Sequence, residues 1–273
     1  MKGDKSDFDP RPIGIFDSGV GGLTVLGALA RQLPGESFIY LGDTARVPYG
    51  SKSPRTVERY TLQVADFLLS QNVKALVVAC NTASALGLAA LRTHCDVPIQ
   101  GVIQPGCRAA LSASKSRHIG VIGTRTTMAS GAYPHTLYLL NPKVQVSSLA
   151  CPLFVPLVEE NWLTHPATHL IVEESLKPFI HKKLDTLILG CTHYPPLKPV
   201  IKEVLGSEVR LVDSAQAVAE EMELRLRDLI KPTRPGTPQL LNYLVTDVAE
   251  RFIEVAPRFL DGLPVKNVEM VDL

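Results

Sequence analysis

Two cysteines in this sequence each follow a short apolar run and precede small polar side chains. Cys80 lies in Leu76-Val-Val-Ala-Cys-Asn-Thr-Ala-Ser84, and Cys191 lies in Leu187-Ile-Leu-Gly-Cys-Thr-His-Tyr-Pro195. Each pattern predicts a buried strand that delivers its cysteine to a strand-to-helix turn. The positive end of a helix lowers the pKa of a nearby thiol and favours the thiolate. Both positions therefore predict a thiol that can accept or return a proton.

Two such thiols suit a proton transfer that inverts a stereocentre. If Cys80 and Cys191 face one another, one thiolate removes a proton and the opposite thiol delivers another to the other face. A cysteine nucleophile that attacks a carbonyl carbon is usually paired with a histidine and an oxyanion hole, whereas here two cysteines share equivalent settings. The frequent burial of free cysteine predicts small apolar side chains at the other three positions, Cys95, Cys107 and Cys151.

Two further residues could assist the thiols. Asp17 ends a short predicted strand, immediately before the glycine-rich turn Ser18-Gly-Val-Gly-Gly22, and His193 lies just after Cys191. The turn could hold an anion such as an α-carboxylate through its backbone N–H groups, but it matches neither the dinucleotide fingerprint nor the P-loop. Cys191 and His193 supply too few ligands for zinc, and no second cluster has zinc spacing, so no metal site is predicted.

The composition is typical of a globular enzyme with a large core. Of 273 residues, 45% are hydrophobic, and 28 Lys and Arg nearly balance 27 Asp and Glu, so nucleic acid is not an expected partner. No apolar run approaches the length of a membrane helix, so no membrane is expected, and the charged start of the chain is unlike a signal peptide. Five cysteines without a Cys-x-x-Cys pair predict free thiols in a reducing compartment, the cytoplasm.

The elements that must position these residues alternate between strand and helix. Strands predicted before the glycine turn, before the polar loop Gly42–Gly50 and before Cys80 are separated by amphipathic helices. This alternation predicts an α/β fold with mostly parallel sheets flanked by helices. Because ligands gather at the carboxyl ends of parallel strands, Asp17, the polar loop and Cys80 are expected to lie together. Within the loop, Asp43 could have a purely structural role and accept hydrogen bonds from nearby backbone N–H groups.

A turn-forming segment in the middle of the chain predicts two pseudo-symmetric lobes with the active site in the cleft between them. Gln104-Pro-Gly106 breaks the alternation, which then restarts and leads to the second strand that ends in a lone cysteine. The predicted divisions are a first α/β lobe of residues 13–104 plus 215–273, a second α/β lobe of residues 105–214, and a loose N-terminal extension of residues 1–12.

Local patterns predict the elements that complete each lobe. A single helix is expected over about 83–94, followed by a strand over 99–103. Ser214 is expected to cap a long amphipathic helix over 215–230. A closing strand over 241–246 is expected to return to the first lobe.

Four stretches, spread over most of the chain, carry a family resemblance. They are Phe16-Asp-Ser-Gly-Val-Gly-Gly-Leu23, Gly42-Asp-Thr-Ala-Arg-Val-Pro-Tyr-Gly50, Ala79-Cys-Asn-Thr-Ala-Ser84 and Gly190-Cys-Thr-His-Tyr-Pro195. Together they closely resemble the glutamate racemase family, the cofactor-independent amino-acid racemases of bacterial cell-wall synthesis. The resemblance implies interconversion of L- and D-glutamate, which supplies D-glutamate for peptidoglycan, in a homodimer that uses neither pyridoxal phosphate nor a metal.

The resemblance also implies roles for individual residues. Cys80 and Cys191 would be the two acid/base thiols. Asp17 would assist near Cys80, and His193 would assist Cys191. The residues expected to border the substrate are Asp17, Ser18, Pro48, Tyr49, Gly50, Asn81, Thr82, Thr124, Thr127, Thr192 and His193, with one of Glu159 and Glu160 near its amino group.

Other functions are compatible with parts of the pattern. Two thiols specify proton transfer but not the length of the substrate side chain, so a racemase of aspartate or another small acidic amino acid is an alternative. A two-lobed amino-acid binder or an interaction protein without turnover is a second alternative. The pair of cysteines argues against it, because binding alone needs no thiol on each face.

Overall fold

Short parallel strands alternate with helices along the chain in this computed structural model, which describes residues 8–260 and 262–273. In chain order, the strands of the described residues are β1 (Ile13–Asp17), β2 (Phe38–Gly42), β3 (Ala75–Val78), β4 (Ile99–Gly101), β5 (His118–Gly123), β6 (Gln145–Ala150), β7 (Thr186–Gly190), β8 (Arg210–Val212), β9 (Leu241–Val245) and β10 (Val268–Met270). The α-helices are α1 (Leu23–Gln32), α2 (Pro54–Ser70), α3 (Asn81–Leu86), α4 (Leu88–His94), α5 (Ile103–Ala113), α6 (Arg125–Ala129), α7 (Ala132–Leu140), α8 (Phe154–Glu159), α9 (Pro166–Ile180), α10 (Lys198–Leu205), α11 (Ser214–Asp228) and α12 (Ala249–Val255). Short 3₁₀ helices occupy Thr44–Arg46, Tyr49–Ser51, Pro195–Leu197 and Ala256–Arg258.

The strands form two parallel sheets, which confirms the predicted α/β class. The first sheet has the order β10-β9-β2-β1-β3-β4, and the second has the order β6-β5-β7-β8. Strand β9 pairs with β2, with Leu241 opposite Phe38, so the closing strand returns to the first sheet as predicted. Among the described residues, no helix combines the length and the low polarity that crossing a membrane requires.

The two strands that precede the cysteines occupy equivalent interior positions. Strand β3 lies between β1 and β4, and β7 lies between β5 and β8. Both strands are buried at every residue, because crossover helices cover both faces of a parallel sheet. Their aliphatic sequences suit this environment. Each strand therefore brings the residue that follows it, Cys80 or Cys191, to the carboxyl edge of its sheet.

The helix predicted over residues 83–94 begins earlier and is divided at Gly87. Helix α3 ends before this glycine and α4 begins after it. A methyl group on Gly87 would lie 2.6 Å from the Cγ2 of Thr61, which belongs to α2. The glycine therefore allows α2 to pack closely against the junction between the two short helices.

The segment Gln104–Gly106 lies in the first turns of α5 and is not a break in the chain. Strand β4 correspondingly ends at Gly101 rather than at residue 103. Proline is tolerated in the first turn of a helix because its missing N–H would have no partner within the helix. The predicted lobe boundary between residues 104 and 105 falls inside this turn, and the division of the chain into lobes stays a prediction.

The residue that caps α11 is Asp213, and the prediction of Ser214 is wrong by one position. The Oδ1 of Asp213 accepts a hydrogen bond from the backbone N–H of Ala215 at 3.0 Å, and the helix begins at Ser214. Both residue types favour the capping position. The sequence therefore indicates the start of the helix but does not decide between two adjacent candidates.

Residues 9–12 are not a loose extension, whereas residues 1–7 lie outside the described residues. The carbonyl of Asp9 accepts a hydrogen bond from the Nζ of Lys74 at 2.8 Å. The same ammonium pairs with Glu36 at 2.6 Å and donates to the carbonyl of Lys231 at 3.0 Å. The buried ammonium of Lys74 thus joins the residues before β1 to the segment that precedes β9.

Candidate active site

The two cysteines lie at the carboxyl edges of different sheets. Cys80 caps α3, and its sulfur accepts a hydrogen bond from the backbone N–H of Ala83 at 3.4 Å. The thiol of Cys80 in turn donates to the hydroxyl oxygen of Ser18 at 3.7 Å. Cys191 follows β7 and precedes a turn that leads into the 3₁₀ helix Pro195–Leu197. Both side chains are buried free thiols.

Cys80 and Cys191 line the same small cavity. Its volume is about 20 Å³, which is room for about one water molecule. Asp17 and Thr127 are the two predicted substrate neighbours that do not line it. The lining residues are Ser18, Val47, Pro48, Tyr49, Gly50, Cys80, Asn81, Thr82, Thr124, Val155, Cys191, Thr192 and His193.

The thiol of Cys80 has a raised pKa, so the expectation of a lowered pKa is wrong for this residue. Burial raises the pKa of Cys80 to about 12, and the negative charge of Asp17 raises it further. The N–H of Ala83 and the hydroxyl of Ser18 oppose this shift without cancelling it. The hydrogen bonds available at the start of α3 therefore do not compensate for the loss of water around the sulfur.

Asp17 does not line the cavity, and its carboxyl group joins the turn after β1 to the turn after β7. Its Oδ2 accepts a hydrogen bond from the N–H of Gly19 at 3.0 Å. Its Oδ1 accepts a hydrogen bond from the hydroxyl of Thr192, in the second lobe, at 3.3 Å. Burial raises the pKa of Asp17, while the nearby charge of His193 opposes this shift. The carboxyl group thus lies close to both halves of the site.

His193 has a carboxylate partner that distinguishes the two candidate glutamates. Its Nε2 lies 2.9 Å from the Oε1 of Glu159, while the side chain of Glu160 pairs with Arg251 at 3.1 Å. Burial disfavours the imidazolium, but hydrogen bonds to Cys191 and Glu159 outweigh it and raise the pKa of His193 to about 10. His193 is therefore positively charged at neutral pH, and Glu159 is the glutamate adjacent to the site.

Three threonine hydroxyls meet between α3 and α6. Thr82, at the start of α3, lies 3.1 Å from Thr124 and 2.9 Å from Thr127, and the latter two are 2.8 Å apart. Thr124 also caps α6. A hydroxyl can both donate and accept, so each member of this triangle can turn its hydrogen toward an anion when one arrives. The hydroxyl triangle can therefore receive a carboxylate.

The loop after β2 is held by a buried carboxylate. The Tyr49 hydroxyl donates to Asp43, which also accepts hydrogen bonds from the Nε of Arg46 at 2.7 Å and from the hydroxyl of Thr246 at 2.9 Å. The peptide bond before Pro48 is cis. Asp43 thus has a structural role in the loop, and it positions Tyr49 at the cavity.

Three residues at the site were not predicted from the sequence. Val47 and Val155 line the cavity, and the Oη of Tyr133 accepts a hydrogen bond from the Asn81 amide at 2.7 Å. Tyr133 belongs to α7, an element that was not predicted because apolar residues occur on most of its sides. These contacts join distant parts of the chain, and no local pattern in the sequence indicates them. Groups of three or more potential metal ligands are absent from the described residues.

Gly21 allows the turn after β1 to approach the turn after β7 closely. A methyl group there would come within 2.5 Å of the Nδ1 of His193 and would also clash with the hydroxyl of Thr192. We expect Gly21→Ala to displace both side chains and to lower kcat/KM by about a hundredfold, since small misplacements of reacting groups carry costs of that size. Gly35→Ala is the matched control, because a methyl group there meets nothing within 4 Å. Equal activities of the two variants would contradict this close approach.

Comparison with known proteins finds relatives that match most of this chain. The family model described as Asp/Glu/hydantoin racemase matches residues 13–222. A glutamate racemase from Geobacter metallireducens is 51% identical over 254 residues, which cover 92% of this chain and 93% of the relative.

Solved structures show the same similarity. A glutamate racemase isoform from Bacillus anthracis has a TM-score of 0.92 and 40% identity, covering 96% of this chain and 98% of that chain. A glutamate racemase from Francisella tularensis, solved in complex with D-glutamate, has a TM-score of 0.90 and 36% identity with the same coverage. From the extent of these matches, the chain belongs to the Asp/Glu/hydantoin racemase family of isomerases.

Proposed function

We propose that this protein is a glutamate racemase that interconverts L- and D-glutamate by proton transfer between the substrate and two thiols, Cys80 and Cys191. The substrate is inferred from the names of the relatives and from the D-glutamate complex of the Francisella tularensis protein. The observation that carries the mechanism is that two free thiols from different sheets line one cavity.

Inversion by two bases needs one thiolate and one thiol at the start of each turnover. The raised pKa of Cys80 keeps it protonated near neutral pH, which suits the proton donor. The imidazolium of His193 stabilises negative charge on Cys191, which suits the base. In this direction, Cys191 takes the α-proton, the electron pair stays on the α-carbon, and Cys80 protonates the opposite face. The two thiols then have exchanged protonation states, and they are ready for the reverse reaction.

Asp17 is proposed to support the donor role of Cys80. Its negative charge disfavours a thiolate on Cys80, and its carboxyl group also fixes the hydroxyl of Thr192. His193, held by Glu159, is proposed to support Cys191 in the same way from the second lobe. The two thiols therefore have unlike neighbours, a carboxyl group beside Cys80 and an imidazole beside Cys191.

Negative charge that develops on the substrate is proposed to be stabilised by neutral donors. Among the residues that line the cavity, none is lysine or arginine. The candidate donors are the side chains of Ser18, Asn81, Thr82 and Thr192, with Thr124 and Thr127 completing the hydroxyl triangle. Donors that are already oriented in a site without water stabilise developing charge more strongly than water does.

Substrate entry requires the lobes to separate. A cavity with room for about one water cannot accept a whole glutamate molecule. Thr126 donates to the carbonyl of Lys52 at 3.1 Å, which is one of the contacts that join the first-lobe loop to α6 of the second lobe. We propose that these contacts open to admit glutamate and close again to exclude water during proton transfer.

The proposed cellular role is the supply of D-glutamate for peptidoglycan synthesis in the cytoplasm. A homodimer and the absence of a cofactor also belong to this proposal. They rest on the resemblance of the four sequence stretches to the glutamate racemase family.

In the decisive experiment, purified protein that has been treated with a metal chelator is incubated with L-glutamate and separately with D-glutamate in deuterated water. We expect the circular dichroism of both samples to decay to zero, with solvent deuterium appearing at the α-carbon. The decay of circular dichroism reports inversion at the α-carbon, and the deuterium reports transfer of the α-proton to a group that exchanges with solvent. A folded, reduced sample that leaves both enantiomers unchanged would contradict the proposed function. Faster turnover of aspartate in the same assay would assign the smaller acid as the substrate instead.

A further inference from the structure

Two arginines near the end of the chain donate hydrogen bonds to the last carbonyls of α8. The Nη1 of Arg258 donates to the carbonyl of Glu159 at 2.7 Å and reaches the carbonyl of Val158 at 3.4 Å. The Nη2 of Arg251 donates to the same Glu159 carbonyl at 3.1 Å. The last carbonyls of a helix have no partner within it, and they favour positive charge. We call this set of contacts the arginine clasp.

The clasp joins the two sheets of the protein. Arg251 belongs to α12, whose Phe252 packs against Tyr40 and Tyr243 of the first sheet, with ring centroids 6.0 and 6.4 Å apart. Glu254, also in α12, pairs with Arg251 at 2.9 Å and approaches Arg258 at 3.6 Å. Both guanidinium groups are therefore oriented by the C-terminal segment that packs on the first sheet.

Helix α8 is attached to the second sheet at its other end. The ring of Phe154 packs edge-on against Tyr194, with centroids 5.2 Å apart. The Tyr194 hydroxyl donates to the carbonyl of Cys151 at 2.8 Å, and the N–H of Cys151 donates to the carbonyl of Gly123, the last residue of β5. The start of α8 is thus fixed by the second sheet, whereas its end is held by the arginine clasp, which packs on the first sheet.

Glu159, which the clasp holds, also contacts the active site. The backbone carbonyl of Glu159 accepts from both arginines, while its side chain lies 2.9 Å from the Nε2 of His193. Phe259, adjacent to Arg258, packs edge-on against the His193 ring at 5.5 Å between centroids. The clasp and His193 are therefore connected through a single residue on one side and through one aromatic contact on the other.

From these contacts we infer that Arg258 and Arg251 are positioning residues for the Cys191 half of the site, because they hold Glu159 against His193 only while the two lobes are together. The inference deepens the proposed racemase function and rests on it. Separation of the lobes would release the end of α8, and it would thereby loosen the Glu159–His193 contact. Closure and the orientation of His193 are thus coupled by the clasp.

The charged groups around His193 make this coupling measurable. Asp17 approaches it from the first lobe, and Cys191 and Glu159 approach it from the second. Arg251 acts on Glu159 from α12. Of the two acidic partners that raise the pKa of His193, only Glu159 is held by the clasp. Loss of the clasp should therefore lower the pKa of His193 without removing any group that touches the imidazole.

The test compares Arg258→Met with Arg258→Lys and with the control Arg227→Met, which removes an exposed arginine from a surface ion pair on α11. In Arg258→Met we expect the His193 pKa, followed by NMR in substrate-free protein, to fall by about one unit as the Glu159 contact weakens. We expect kcat/KM to fall about tenfold. Because the enantiomers have equal free energies, the fall must be the same for L- and D-glutamate. Arg258→Lys should recover part of both effects, since an ammonium can still donate to the carbonyl.

A double-mutant cycle separates positioning from general stability. If Arg258 acts through Glu159, Arg258→Met should cost little further activity in a Glu159→Gln background. Arg251→Met provides an independent variant at the more exposed arginine if Arg258→Met folds poorly. An unchanged His193 pKa, or fully additive losses in the cycle, would overturn the inference. The NMR measurement needs no turnover, so its outcome is independent of whether glutamate is the substrate.

Discussion

Cys80→Ser and Cys191→Ser should each lower kcat/KM for racemisation by about a thousandfold, the scale on which general acid and base groups contribute. A serine hydroxyl is a much weaker acid than a thiol, so it supplies neither the base nor the proton donor near neutral pH. The two losses should be similar, because each direction of the reaction needs both groups. Initial rates with each enantiomer, followed by circular dichroism, measure the effect.

Cys95→Ser is the matched control for these variants. Cys95 follows α4, is partly buried and lines no part of the cavity, so its replacement should leave the racemisation rate within about twofold of the parent. Deuterium exchange adds a second readout, since a remaining thiolate could still exchange the α-proton of one enantiomer without inverting it. A near-parental rate in either Cys80→Ser or Cys191→Ser would contradict the two-thiol assignment.

Lys74→Met should lower the free energy of unfolding by about 3–5 kcal/mol, the usual cost of removing one partner from a buried ion pair. The side chains of Lys74 and Glu36 are 1% and 5% exposed, so the carboxylate of Glu36 would lose its cation in a dry environment. It would retain hydrogen bonds from the N–H and the hydroxyl of Thr233 at 2.8 and 2.9 Å. Urea denaturation at neutral pH measures the loss.

Lys177→Met is the control for this prediction, because Lys177 forms an exposed pair with Glu174 at 3.5 Å. Exposed pairs contribute about 0–1 kcal/mol, so this variant should unfold at nearly the parental urea concentration. The double variant Glu36→Gln with Lys74→Met should recover part of the lost stability, because it removes the unpaired charge. Equal midpoints for Lys74→Met and Lys177→Met would show that the buried pair contributes no more than a surface pair.

Much of the fold was predictable because its signals are local. Apolar runs before Cys80 and Cys191 indicated interior strands, and their even burial follows from the helices on both faces of each sheet. The division of the predicted helix at Gly87 was not predictable, because it depends on how closely Thr61 of a different helix approaches. The capping of α11 by Asp213 involved two adjacent residues with the same preference, which sequence alone does not resolve.

The candidate site was predictable in its residue types but not in its electrostatics. The residues that line the cavity agree with most of the expected substrate neighbours, since these follow strand ends that parallel sheets bring together. The raised pKa of Cys80 depends on complete burial and on the charge of Asp17, neither of which follows from its position at a helix start. The choice of Glu159 over Glu160 likewise required the contact with His193.

The position of β9 between β2 and β10 has a consequence for biosynthesis. Strands β5–β8 are contiguous in the sequence, so the second sheet can assemble as soon as they have left the ribosome. The first sheet is incomplete until β9 is synthesised, and β2 meanwhile exposes an unpaired edge. Open strand edges favour association with other chains, and pairings between distant segments form slowly. The nascent chain is therefore prone to aggregation from the emergence of β2 until the insertion of β9, which is the interval when binding of a chaperone to β2 would protect it.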